Sequence, residues 1–149
     1  MRLVSVWLHV LGIVAWIGGL AYQAHVLGPA ARRGGAGVFA EAARRGRPIA
    51  WTAVAVVALT GFYNVTRLGP LERVIESGAG LLLAGKFVLV LGAVALAAQR
   101  DFALVPRLGR ALVEGQDPAH ALRRIAWVDR LVLLLAVAIA YLGVAVSRA

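Results

Sequence analysis

The hydrophobic pattern divides the chain into four long apolar segments separated by polar connectors. A helix that crosses a bilayer needs about 20 largely apolar residues. Lipid offers the backbone amides no partner, so each segment is predicted to be a helix; the alternating polarity of barrel strands is absent. The pattern predicts an all-α integral membrane four-helix bundle, a single transmembrane domain over residues 1–149. Its spans cover about residues 3–27, 48–66, 80–104 and 125–146.

Composition supports lipid as the main solvent of this chain. Hydrophobic residues make up 61% and charged residues 15%, whereas a soluble domain is about a quarter charged. The net charge of +9 does not indicate nucleic acid, because the basic residues flank apolar segments and form no DNA-binding motif. The chain has no cysteine, which excludes disulfides and thiolate metal sites.

The arginines are distributed unevenly between the two sides of the predicted bundle. Eleven lie in or beside the connectors that follow the first and third segments, and four lie on the opposite side. By the positive-inside rule, these connectors lie in the cytoplasm and both termini lie outside the inner (plasma) membrane. The first connector is expected to be either a solvated basic loop or a short surface helix with Phe39 turned inward.

A short motif occurs twice and predicts two tandem helical hairpins. "RPIAWT" (47–52) returns as "RRIAWV" (123–128), and Pro29 and Pro106, 77 residues apart, follow the first and third segments. Lys86 lies 77 residues after His9. We therefore expect these two side chains to face each other at similar depth across the axis of the repeat.

Depth along the helices predicts a polar layer in the outer leaflet. At 1.5 Å per residue, His9 and Lys86 both lie roughly 9 Å below the outer ends of their segments. Trp16 shares a helical face with His9. There are bland alternatives for these residues. Asn64 could serve only as a hydrogen-bond partner between helices, and Lys86 could extend to the lipid headgroups. Tyr63 and Tyr141 could be aromatic residues of the membrane–water interface. The candidate cofactor-binding residues are His9, Lys86, Trp16, Tyr63, Asn64 and Tyr141; His9 is the candidate metal ligand, and no catalytic residue is assigned.

An intramembrane imidazole has two obvious ligand chemistries. Imidazole suits copper, but the chain has no cysteine and Met1 is its one methionine, so tight binding needs a histidine or methionine from another subunit. A single histidine can also be the axial ligand of haem b. Lys86 could be the second haem ligand only as a neutral amine. A proton or quinone relay is a further alternative.

Three stretches resemble a known family: "LHVLGIVAWIGGLAYQAHVLGPAARR", "TGFYNVTRLGP" and "GKFVLVLGAVALAAQRDFALVPRL". They are similar to the CopD family, the membrane domain of bacterial copper-resistance proteins, which implies copper uptake or tolerance. A related pattern occurs in HemJ-type protoporphyrinogen oxidases, where the resemblance implies haem b on His9 and a matching Lys86. The chain departs from that group at Ala98-Gln99-Arg100, where a histidine is usual.

These observations give one main hypothesis and two alternatives. The main one is a CopD-like inner-membrane protein that handles copper or haem through a site on His9 and Lys86, without being an enzyme. The alternatives are a haem-dependent oxidoreductase acting on a porphyrin or quinone, and a non-catalytic assembly protein. Expected partners are the lipid bilayer, a second copy, or a periplasmic metal or haem carrier. Asp129 and Arg130 are expected only to orient the start of the last span.

Overall fold

The computed structural model describes residues 2–66 and 78–146, and the described chain is almost entirely helical. Helix α1 (Arg2–Tyr22) continues through a π-helical turn, Gln23–Leu27, into the three-residue helix α2 (Gly28–Ala30). A second π-helical turn, Ala31–Gly35, leads into the long helix α3 (Ala36–Val65). The described residues include no strand, so the all-α prediction is confirmed.

The second half of the chain repeats part of this order. Helix α4 (Gly78–Gln99) runs into a π-helical turn, Arg100–Leu104, and then into helix α5 (Val105–Val113). Helix α6 (Ala119–Val146) completes the described chain. Helix α6 packs along α4, as α3 packs along α1, and α6 also contacts α1.

The π-helical turns at residues 23–27 and 100–104 are related by the offset seen in the sequence. Their first residues are 77 positions apart, and each turn is followed by a helix with proline in its first two positions, Pro29 or Pro106. In both segments the backbone continues in the helical region from the π-helical turn into the helix that carries the proline. The repeat is therefore present in the backbone as well as in the sequence at these two segments.

A local break at Arg33 and Gly34 reverses the chain between α1 and α3. Arg33 has φ −98° and ψ 18°, and Gly34 has φ 108° and ψ −6°, so the backbone leaves the helical region here. A positive φ of this size is readily adopted by glycine alone. Contacts from Ser5 to Asn64 and from His9 to Thr60 show that α3 returns antiparallel to α1.

Three helical stretches are long and apolar enough to cross a membrane: Leu3–Val65, Gly80–Val113 and Ala119–Val144. The first has 63 residues and would measure about 95 Å if it were straight. It contains the reversal at Gly34, so α1 and α3 are its two antiparallel arms. Many large apolar side chains point outward, including Leu59, Leu81 and Leu134, each at least 67% exposed.

The packed helices have two distinct ends. The terminal end holds the start of α1, the end of α3, the start of α4 and the end of α6; the connector end holds the π-helical turns and α5. Buried apolar side chains concentrate toward the connector end, where Phe39, Leu108 and Ile125 are each 2% exposed or less. The first connector is therefore helical, with Phe39 in the core, and the solvated-loop expectation is wrong for residues 36–47.

Candidate functional site

His9 lies half-buried on the face of α1 that packs against α3. Its Nδ1 atom is 3.0 Å from the backbone carbonyl oxygen of Val57 and 3.0 Å from Thr60 Oγ1. The imidazole also lies over Gly61, where an added Cβ would come within 3.1 Å of the His9 Cε1 atom. The absence of a side chain at Gly61 therefore leaves the space that the ring occupies.

The hydrogen bonds at His9 determine which ring nitrogen carries the proton. A carbonyl oxygen can only accept, so the contact with Val57 requires a proton on Nδ1. The Thr60 hydroxyl donates to the Val56 carbonyl oxygen at 2.6 Å, so it too accepts from Nδ1. In the neutral imidazole the lone pair is therefore on Nε2, and no hydrogen bond among the described residues engages that atom.

A second polar contact joins the same two helices about one turn from His9. The hydroxyl of buried Ser5 donates to Asn64 Oδ1 at 3.0 Å. Ser5, His9 and Gly12 share one face of α1 at helical spacing. At Gly12 an added Cβ would be 2.7 Å from Val57 Cγ2, so glycine is what lets the helices approach closely enough for these bonds to form.

Lys86 is half-buried on α4 but its ammonium group extends along α6. The Nζ atom is 3.3 Å from the position a Cβ would take on Gly143, three residues before the end of α6. The apolar stem therefore carries the charge toward the terminal end, as long basic side chains do near membrane boundaries.

The other predicted site residues lie in different places. Tyr63 is half-buried, next to Asn64, and its carbonyl oxygen accepts from the Thr66 hydroxyl at 2.8 Å. Tyr141 is 73% exposed, and no described contact joins it to His9 or Lys86. Trp16 packs against the core toward the connector end and lines a cavity together with Arg100, so it does not lie in the surroundings of His9.

A second polar group, at the connector end, is a buried charge cluster around Arg100. Arg100 donates from Nε to Asp129 Oδ1 at 2.5 Å, from Nη1 to Asp101 Oδ1 at 2.6 Å and from Nη2 to Gln23 Oε1 at 2.5 Å. The Trp51 indole donates to Asp101 Oδ2 at 3.0 Å. Arg100, Asp101 and Asp129 are 4%, 6% and 1% exposed.

Sequence reasoning missed this charge cluster. It treated Arg100 as a residue that borders a span, and it assigned Asp129 an orienting role only. Asp129 does sit at the start of the last span, but it is fully enclosed in an ion pair with Arg100. The available signal was the offset of 77, which relates Gln23 to Arg100, together with the rule that ionisable groups inside spans are paired.

A cavity of about 210 Å³ lies beside the charge cluster. It is separate from His9, which is absent from its lining, and a second cavity beside Arg107 and Trp127 also lacks His9. The lining of the first cavity includes Trp16, Gly19, Leu20, Arg47, Arg100 and Asp101.

The described residues contain no group of three or more histidine, aspartate or glutamate side chains arranged to hold a metal. One chain therefore offers copper a single imidazole nitrogen at His9. A porphyrin fits poorly beside His9, because the ring lies in the α1–α3 interface directly over Gly61.

Comparison with known proteins identifies the family. The model of the family described as Copper resistance protein D matches residues 40–144. The chain belongs to the CopD family. The matched range includes Thr60, Asn64 and Lys86, and it begins after His9. No curated protein and no solved structure matches the chain. Family and fold together make this a copper-related membrane protein.

Proposed function

We propose that this CopD-family protein passes copper through the membrane region with His9 Nε2 as its ligand atom. The supporting observation is the hydrogen bond from Nδ1 to the Val57 carbonyl oxygen. Metal-binding histidines commonly donate their other ring N–H in this way, which orients the ring and directs the lone pair of the ligating nitrogen. The family match supplies the choice of copper over other metals.

In this proposal copper is cargo that binds briefly. A single imidazole does not complete a copper site, and soft Cu(I) would prefer sulfur ligands. The second ligand comes from another copy of the chain or from a carrier protein at the terminal end. The Lys86 ammonium, which extends toward the terminal end beside Gly143, raises the energy of a cation at that end, which favours release over storage.

The proposal includes a membrane arrangement. The four apolar arms, α1, α3, α4 and α6, form a four-helix bundle, with the arginine-rich connector end in the cytoplasm and both termini outside. The positive-inside rule supports this direction, and the pairing of α1 with α3 and of α4 with α6 supports the bundle. His9 then lies in the outer leaflet of the inner membrane.

A structural or assembly role is the second candidate. Its supporting observation is that both polar side chains on the α1 face, Ser5 and His9, bond to α3, as purely stabilising interhelical bonds would. The haem-dependent alternative has less support, because the surroundings of His9 do not fit a porphyrin.

The deciding experiment measures copper binding on purified protein in nanodiscs. Copper per chain is determined by elemental analysis after Cu(I) loading, and affinity by competition with a chromophoric Cu(I) chelator. His9→Ala is expected to weaken binding at least tenfold. His25→Ala and His120→Ala are matched controls, because both histidines are exposed, and they are expected to bind like the wild type.

Two outcomes would contradict the copper proposal. One is a His9→Ala variant that keeps its copper while His25→Ala or His120→Ala loses it. The other is a Soret band in the visible spectrum of the same wild-type sample that disappears in His9→Ala, which would support haem instead. Asn64→Leu separates ligation from packing: it removes an α1–α3 bond but should leave copper affinity unchanged.

A further inference from the structure

We propose that the cavity at the connector end binds an anionic amphiphile, a molecule with one phosphate or carboxylate group and an apolar tail. The site lies apart from His9, and the inference does not depend on copper binding. It is based on the lining of the cavity, on a buried Arg47 donor without a described hydrogen-bond partner, and on the arrangement of the neighbouring charges.

The cavity has an apolar side formed by α1 and α3. Trp16, Gly19 and Leu20 contribute to its lining. Gly19 leaves open space, because an added Cβ there would meet nothing within 4 Å. The volume of about 210 Å³ is below the 300–1,000 Å³ typical of drug-sized ligands. It therefore suits a headgroup with the first part of an acyl chain, rather than a flat macrocycle.

Arg47 supplies the charge that an anion would meet. Its Nε atom is buried and has no hydrogen-bond partner among the described residues. The guanidinium carbon lies 5.2 Å from the centre of the Phe102 ring, and that ring packs 5.4 Å from the Trp51 ring. Aromatic stacking thus holds the guanidinium at the cavity, but it leaves a buried N–H donor unused, which is costly.

The other charged groups of the cavity are already engaged. Arg100 directs its Nε, Nη1 and Nη2 atoms to Asp129, Asp101 and Gln23. Asp101, which also lines the cavity, accepts bonds from Arg100 and Trp51. These three charged side chains sum to one negative charge, so an incoming anion is expected to bind on the Arg47 side, away from Asp101.

Arginine recognises phosphate and carboxylate oxygens through charge-assisted hydrogen bonds, which satisfy its donors and add specificity. Two sources could present this chemistry at the connector end: an anionic phospholipid of the bilayer, or a free amphiphilic acid or phosphate. Both would place the anion on Arg47 and the chain along Gly19 and Trp16. The experiment distinguishes them.

The test uses native mass spectrometry on the full-length protein with two probes, dodecyl phosphate and phosphatidylglycerol, and with phosphatidylcholine as the zwitterionic comparison. The wild type is expected to retain one anionic molecule per chain. Arg47→Gln, which loses the charge, and Gly19→Leu, which fills the cavity, are each expected to weaken retention at least tenfold.

Two matched controls keep the result interpretable. Arg44→Gln removes a nearby exposed charge paired with Glu41, and Gly18→Leu adds the same side chain at a neighbouring position outside the cavity; both should bind like the wild type. Thermal unfolding of each variant shows whether it is folded. If Gly19→Leu is unfolded, Arg47→Gln alone decides.

The outcomes are distinct. Retention of phosphatidylglycerol over phosphatidylcholine, lost in Arg47→Gln, supports the site and identifies a membrane lipid. Retention of dodecyl phosphate alone supports it and identifies a free amphiphile. Equal retention by the wild type, Arg47→Gln and the controls, or no retention of either anionic probe by the wild type, would overturn the proposal.

Discussion

Two groups of polar side chains lie at opposite ends of α1, and their buried polar atoms are hydrogen-bonded in different ways. At the terminal end, Ser5 and His9 each bond to one neighbouring helix, α3. At the connector end, hydrogen bonds of Arg100 and Asp101 connect the turn that follows α4 to the turn that follows α1, to α3 and to α6. The first group is uncharged if the imidazole is neutral, whereas the second contains three buried charges.

The two groups also differ in whether they keep a polar atom that is available to a ligand. Each of the three guanidinium nitrogens of Arg100 donates to a described partner, which fits a structural role for the connector-end cluster. Among the described residues, His9 bonds through Nδ1 alone, which leaves a lone pair on Nε2 of the neutral ring for a ligand. Unused capacity, rather than the number of polar atoms, identifies the candidate site.

The largest expected loss of stability comes from breaking the buried charge cluster around Arg100. Arg100→Leu leaves Asp101 and Asp129 buried without their cation, and breaking a buried pair in this way typically costs about 3–5 kcal/mol. The measurement is reversible unfolding in detergent. Arg110→Leu, on the exposed side of α5, is the control and should change nothing measurable. A near-neutral Arg100→Leu would show that the cluster does not stabilise the bundle.

An intermediate effect is expected from separating α1 and α3. Gly12→Ala places a Cβ 2.7 Å from Val57 Cγ2 and 3.2 Å from the Ala53 carbonyl oxygen, and overpacking of this kind typically costs about 1–3 kcal/mol. Gly18→Ala is the matched control, because nothing lies within 4 Å of its added Cβ, and its helix should be slightly stabilised. Equal stabilities for the two variants would contradict the close approach at Gly12.

The smallest expected effect comes from the terminal-end group. Asn64→Leu removes the acceptor of the Ser5 hydroxyl, and interhelical bonds of this kind average about 0.6 kcal/mol. Ser5→Ala should cost a similar amount, and the double variant should cost less than the sum of the two, because both remove one bond. Additive losses in this double-mutant cycle would mean that the bond does not form.

The sequence predicted the all-helical character of the described chain, because apolar length is a local property. The first predicted span, residues 3–27, ends within the π-helical turn Gln23–Leu27. The turn itself was not predicted, since neither hydropathy nor proline placement distinguishes a π-helical turn from an α-helical one. The burial of Phe39 was one of two alternatives that the sequence left open, because it depends on packing against α5, which is distant in the chain.

The site was harder to predict than the fold, because it depends on where each side chain points as well as on where its residue lies along a helix. His9 and Lys86 were placed by the 77-residue offset, but their side chains extend toward different helices, α3 and α6. Trp16 shares the apolar face of His9 yet lines a cavity two turns away. The partners of Arg100 come from distant parts of the chain, which no local pattern reveals.

The bond between Gln23 and Arg100 has a consequence for how such a chain can arise. Positions related by a twofold axis can touch each other only next to that axis, and these two positions, 77 residues apart, touch. A symmetric pair of identical hairpins would bring two arginines or two glutamines together there. Joining the hairpins in one chain lets the two positions differ, so that a single cation can occupy the centre with two carboxylates around it.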